Sequence, residues 1–168
     1  ELNLEMPKTL EDLENVLIAF KEEKGATAPF TYEYNPYSKE LSYLMYGSGT
    51  SFDWQLDSAG KVQFGSVTPE YKKFLEVMNS WYTQGLLDAD FATVDRAQQD
   101  AKITTGVSGM TMGWVGSGMG SWNPAGQEGD ENYLLAPMPY VTEDGSKSEY
   151  GYLTSRFTKG NCVASSTA

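Results

Sequence analysis

Leu10, Leu13, Leu17 and Phe20 recur at helical spacing between Thr9 and Gly25, so they share one face of a helix. Thr9 with Asp12 has the form of a capping box and Gly25 supplies a stop, which predicts a first helix over residues 10–24. Ala28 to Tyr34 is an apolar and aromatic run suited to a buried strand, ended by Asn35-Pro36 because the residue before proline avoids helix. Ser38 can cap a second helix through Tyr46, closed by Gly47-Ser48-Gly49. Phe52–Gln55 and Lys61–Phe64 then flank Asp57-Ser58-Ala59-Gly60, which predicts a hairpin excursion over 51–66. Thr68 and Pro69 open the clearest helix of the chain, with an apolar stripe of Tyr71, Phe74, Leu75, Met78, Trp81 and Tyr82 running to Gly85. Asp95 to Ile103 reads as a further helix without a strong apolar face, delivering the chain to Gly106.

From Gly106 to Trp122 the pattern changes. Its first half alternates small or polar with apolar residues, as a buried strand does; its second half is dense in glycine and lets the backbone turn sharply. Trp114 stands at the junction. A strand that ends in a glycine turn and starts a short helix offers free backbone N–H groups beside an aromatic face, a place to hold a polar small molecule. Beyond it the sequence predicts a loop over Asn123–Asn132, a strand through Tyr133–Pro137, a polar turn over Thr142–Ser148, and strands at Tyr150–Thr154 and Cys162–Ser165. Helices alternating with short buried strands predict one three-layer α/β domain over residues 1–168.

Composition narrows the chemistry. With 12 basic and 23 acidic residues the formal charge is −11, which repels nucleic acid and anionic membrane surfaces. The chain has no histidine, which excludes Ser-His-Asp and Cys-His catalysis and any histidine-bearing zinc site. Ser108 fails the nucleophile elbow because residue 110 is methionine, and the glycines over 113–120 match neither the dinucleotide fingerprint nor the phosphate loop. Asp88 and Asp90 lack the glycine that a calcium loop places sixth. The single cysteine, Cys162, reads as a small buried hydrophobe. No catalytic residue, metal or cofactor is expected.

Three segments, in order, carry a resemblance. Gly106 to Trp114 has the form Gly-x-x-Gly/Ala-Met-x-hydrophobic-x-Gly running into a tryptophan turn. Before it in the chain, Asp53-Trp54-Gln55-Leu56-Asp57-Ser58-Ala59-Gly60-Lys61-Val62-Gln63-Phe64-Gly65, then Thr68-Pro69-Glu70-Tyr71 and Trp81-Tyr82-Thr83-Gln84-Gly85-Leu86-Leu87-Asp88 form another block. Leu135-Ala136-Pro137-Met138-Pro139 with Asp144-Gly145 forms the third. Together they resemble the second lobe of the extracellular solute-binding proteins of bacterial ABC importers, the maltose-binding-like class and its lipoprotein relatives. The resemblance implies a three-layer, periplasmic-binding-protein-like (type II) lobe with a mixed sheet flanked by helices. It implies a non-catalytic protein that holds a small molecule, a sugar, between this lobe and a first lobe not present here, and that serves an ABC permease. An extracellular, cell-surface location is implied, with the export signal and lipid anchor on a part of the parent not present here, since no lipid-acceptor cysteine stands near Glu1.

Ligands of open α/β sheets bind beyond the carboxyl ends of strands, so the strand exits supply the candidate site. At the first exit, Tyr34, Asn35 and Tyr37 match a segment where amide and aromatic side chains meet sugar in the family; a satisfied turn with surface tyrosines is the other reading. At the second, Trp114 would stack on a sugar face while Gly116 and Ser117 meet hydroxyls; otherwise Trp114 plugs the core between helices. Where the family has a Pro-Trp pair after the glycine, Trp114 here follows Gly113 directly. Trp54, Trp81, Trp122 and the methionines 110, 112 and 119 are expected to serve packing. Two other functions fit the residues alone: an independent, non-catalytic surface interaction module, and a fragment of a carbohydrate-active enzyme using paired carboxylates.

Overall fold

Helix boundaries follow the local rules closely. The computed structural model describes residues 2–34, 41–57, 59–138 and 141–145. Helix α1, Leu10–Lys24, starts at a reciprocal cap: the Asp12 amide donates to Thr9 Oγ1 at 3.0 Å and the Thr9 amide donates to the Asp12 carboxylate at 2.9 Å. Gly25 ends it with φ +68°, a left-handed conformation that a side chain would strain. Among the described residues the chain continues through strand β1 (Phe30–Thr31), helix α2 (Ser42–Gly47), strands β2 (Trp54–Leu56) and β3 (Val62–Phe64), helix α3 (Pro69–Thr83), helix α4 (Arg96–Thr104), strand β4 (Met110–Thr111) and helix α5 (Gly120–Gln127). Thr68 caps α3 by accepting from the Tyr71 amide, and Asp95 with Gln98 forms a second capping box at α4.

β1 lies at the centre of the sheet. It pairs in parallel with β4, Phe30 opposite Met110 and Thr31 opposite Thr111. On its other side the Phe30 amide donates to Leu86 O at 2.9 Å and the Asp88 amide donates to Phe30 O at 2.8 Å. Side chains alternate between faces along a strand, and two different environments result. Phe30 and Met110 join a core built with Leu13 and Leu17 of α1 and Phe74, Met78 and Trp81 of α3. Thr31 and Thr111 face the opposite way, toward α4. Helices on both faces of a parallel pairing give the expected three layers. The hairpin β2–β3 stands apart as an antiparallel pair, closed by the Asp57 carboxylate accepting from the amides of Ala59 and Lys61. Its outer face carries Trp54, Leu56 and Val62, which are 68%, 59% and 59% exposed, with Trp54 tilted against Phe64 at 5.3 Å.

The layer under α4 is polar and tightly paired. Asp88, 3% exposed, accepts from Lys102 Nζ at 2.6 Å, from Thr31 Oγ1 at 2.6 Å and from the Asp90 amide at 3.1 Å. Burial alone would push its carboxyl up; the bonds from Lys102, then Thr31 and the Asp90 amide, outweigh that and hold it below the usual aspartate range. A carboxyl depressed in the folded state lends stability that is full above its unfolded value and is lost as pH falls through the folded one. Asp88→Asn is therefore expected to cost roughly 2 kcal/mol at neutral pH, on the scale of hydrogen bonds to charged groups. It should also flatten the acid limb of stability against pH below about 4, the ordinary aspartate range. Urea unfolding at a series of pH values checks both.

Several expectations change. α2 begins at Ser42 without a side-chain cap; Ser38 lies outside the described residues. The expected loop after Trp122 is instead α5, which runs to Gln127 with Pro124 inside it. A wide-wound turn, Val115–Met119, leads into this helix, and the indole of Trp122 is buried beneath it, so tertiary packing overrides the helix-breaking residues. The strand expected over Tyr133–Pro137 does not form among the described residues. The Leu135 backbone is taken instead by one side chain, Asn123, whose Oδ1 accepts from the Leu135 amide at 2.6 Å and whose Nδ2 donates to Leu135 O at 3.2 Å. The strands expected at Tyr150–Thr154 and Cys162–Ser165 lie outside the described residues.

Candidate functional site

Adjacent parallel strands in register leave the sheet at the same rim. Tyr34, three residues beyond Thr31, and Trp114, three beyond Thr111, each follow the carboxyl end of their strand, β1 and β4 respectively. Tyr34 is 51% exposed, and its amide is anchored to Val94 O at 2.7 Å. Trp114 is 69% exposed, so its indole is not sunk among side chains. Gly116 and Ser117 follow it on the exposed side of the wide turn. Asn35 and Tyr37 lie outside the described residues.

The turn that follows Trp114 closes over the ring of Trp122. A Cβ on Gly113 would lie 2.4 Å from the Trp122 ring and one on Gly118 would lie 2.7 Å from it. Only glycine lets the turn close over that indole. Trp122, 3% exposed, thus fills the space beneath the turn, and the other tryptophan is left at the surface. Trp81 is fully buried in the core, as a packing residue would be, whereas Trp54 is 68% exposed and lies against Phe64 of its hairpin at 5.3 Å. Beside the turn opens a cavity of about 470 Å³, walled by Trp114, Met112 and Met119 and by Leu135 to Met138, its lining mostly apolar.

α4, which looked like a connector, holds this rim from behind. Gln99, buried, donates through Nε2 to Thr111 Oγ1 at 2.7 Å and to Met112 O at 2.8 Å, fixing the point where β4 leaves the sheet. Arg96 donates through Nη2 to Ser117 O at 2.9 Å and through Nε to Asp100 Oδ1 at 2.7 Å, with its guanidinium 5.0 Å from the Trp122 ring centroid. Asp100 Oδ1 also accepts from Trp122 Nε1 at 2.6 Å. The sequence carried a weak signal of this in the polar face and the i, i+4 spacing of Arg96 and Asp100. Among the described residues, no three His, Cys, Asp or Glu side chains converge as a metal site would need.

No protein-family model matches the chain. It is 29% identical over 124 residues to the polygalacturonan/rhamnogalacturonan-binding protein of Bacillus subtilis, a match covering 67% of this chain and 24% of that protein. Among solved structures it is similar to the ABC-transporter substrate-binding protein FusA of S. pneumoniae in complex with kestose, at 27% identity and a TM-score of 0.57, covering 64% of this chain and 24% of that one. It also shares its fold with a sugar transporter protein of Bacillus licheniformis in complex with stachyose, at 17% identity and a TM-score of 0.54, covering 84% and 37% of the two chains. The chain spans about a quarter of the length of the curated relative it matches. In sequence and in fold it is similar to these substrate-binding proteins, and its α/β architecture is that of a type II periplasmic-binding-protein-like lobe.

Proposed function

We propose that the chain belongs to the extracellular solute-binding proteins of bacterial ABC importers, as one lobe that supplies half of a carbohydrate cleft and carries out no catalysis. The observation that carries the reading is an indole 69% exposed just beyond the carboxyl end of a strand in a parallel pairing, beside a turn that closes over a second, buried tryptophan. An exposed aromatic face suits the apolar face of a pyranose or furanose ring. Ser117, backbone amides near Gly116, and Asn35 would satisfy hydroxyls, with Tyr34 and Tyr37 adding aromatic contact. The names of the relatives favour an oligosaccharide or a pectic glycan over other solutes.

In this reading the first lobe closes over the sugar by a hinge and the closed form is presented to the permease. The parent is held at the cell surface by a lipid anchor outside this chain. A half-cleft buries only part of its ligand, so the lone chain is expected to bind sugars weakly or undetectably while the intact two-lobed protein binds them well. Calorimetric titration of both with kestose, stachyose and oligogalacturonate tests this. A submicromolar Kd for the lone chain, or no binding by the intact protein to any of a broad sugar panel, would count against it. A surface interaction module is the other reading, supported by the outward apolar face of β2–β3. It predicts that Trp54 and Leu56 substitutions abolish function in an intact protein that binds no sugar.

A further inference from the structure

We propose that Arg96 and Asp100 are positioning residues that set how tightly the ligand is held, by fixing the shape of the turn that presents Trp114, Gly116 and Ser117; the inference rests on the carbohydrate reading of that rim. The wide-wound turn, Val115–Met119, departs from the regular α-helical ladder, with the Gly120 amide donating to Val115 O five residues back. Two side chains donate to Ser117 O: Arg96 Nη2 at 2.9 Å and the Ser121 hydroxyl at 3.0 Å. Arg96 can bind that carbonyl only because its own orientation is fixed from two further sides. Asp100 holds Nε at 2.7 Å, and the Trp122 ring carries the guanidinium face at 5.0 Å. Asp100 then closes the circuit by accepting from Trp122 Nε1, the side chain over which Gly113 and Gly118 fold.

The circuit joins α4 to residues 21 to 26 positions further along the chain through a planar fork that lysine cannot reproduce, since an ammonium is a point charge without a stacking face. Its location argues against a merely stabilising role. α4 is closed at its start by Asp95 and Gln98, and β4 is tied to α4 by Gln99; neither attachment needs Arg96. What Arg96 alone reaches is the turn. Binding groups displaced by a fraction of an ångström lose affinity steeply, because their preorganisation is what spares the ordering cost on binding.

The test uses the intact two-lobed protein with the sugar that the wild type binds, and three measurements: Kd by calorimetry, the thermal midpoint, and amide hydrogen exchange of residues 115–120 without ligand. Arg96→Ala is expected to raise Kd about tenfold or more and to speed exchange at 115–120, with exchange in α1 and α3 unchanged. Arg96→Lys is expected to recover little of either. Wild-type Kd in Arg96→Ala, or exchange at 115–120 that stays as in the wild type, overturns the proposal. If no sugar binds the wild type, the carbohydrate reading itself falls, and the proposal falls with it. A drop in thermal midpoint with faster exchange spread evenly over the domain assigns Arg96 to stability and equally overturns it.

Discussion

Trp81→Ala is expected to lower the stability of the domain by about 3–5 kcal/mol, the range for removing a large aromatic from a packed core. A domain of this size holds roughly 5–15 kcal/mol in total, so the loss is a large fraction of its stability. Trp81 is fully buried on the inner face of α3 and meets the Phe30 ring edge to face at 6.3 Å. Its backbone carbonyl accepts from the amides of Leu86 and Leu87 at 2.8 and 3.2 Å, where the chain turns back to lie beside β1. Its indole N–H donates to Glu14 of α1 at 3.1 Å. One side chain thus links α1, α3 and the central strand, and alanine would leave a cavity and remove one of the two bonds to the Glu14 carboxylate, the other coming from Gln84 Nε2 at 2.9 Å. Trp81→Phe separates the two effects: it should restore most of the packing and lose about 1–2 kcal/mol, the scale of a hydrogen bond to a charged acceptor. Urea unfolding followed by far-UV circular dichroism measures both, and an unchanged midpoint in Trp81→Ala would show that the three elements do not depend on that contact.

What was legible in the sequence was whatever is decided within four residues. Thr9 with Asp12, Thr68 with Pro69, and the left-handed glycines 25 and 85 name helix ends by local hydrogen bonding and backbone conformation alone, and those ends stand where expected. The apolar stripe of α3 was legible too, although only Phe74, Met78 and Trp81 are buried while Leu75 and Tyr82 stay half exposed, because the core touches a narrower band of the helix. The order of the family's motifs revealed the class of fold for the same reason: each motif is a local solution repeated in sequence. The glycine turn and the start of a short helix were legible, but the run of α5 past Trp122 to Gln127 was not. Gly116, Gly118, Gly120 and Pro124 argue for loop by propensity, and only the burial of Trp122 and the hold of Asn123 on Leu135 make them helical. Arg96 and Asp100 read as an ordinary solvated pair until the fold sets Ser117 and Trp122, more than twenty positions away, against them.

Trp114→Ala in the intact protein is expected to weaken sugar binding about a hundredfold, the loss typical of removing a tryptophan at the centre of a binding surface. So large an effect is expected because the indole has little else to do. At 69% exposure it adds little to the packed core, so the thermal midpoint should move by only a degree or two, as for ordinary surface substitutions. Trp122→Ala makes the contrast: it empties the space under Gly113 and Gly118, and both stability and affinity should fall together. Trp114→Phe keeps a flat apolar face at the same position and should recover part of the affinity, whereas Trp114→Leu, of similar hydrophobicity without a ring face, should recover less. Calorimetry on the four variants, with thermal midpoints alongside, reads the pattern directly. If Trp114→Ala binds as the wild type does, the exposed ring is a bystander, and the sugar must be held by the first exit or by the facing lobe. If Phe and Leu recover affinity equally, the contact is plain apolar burial, and the stacking that singles out a carbohydrate is removed from the account.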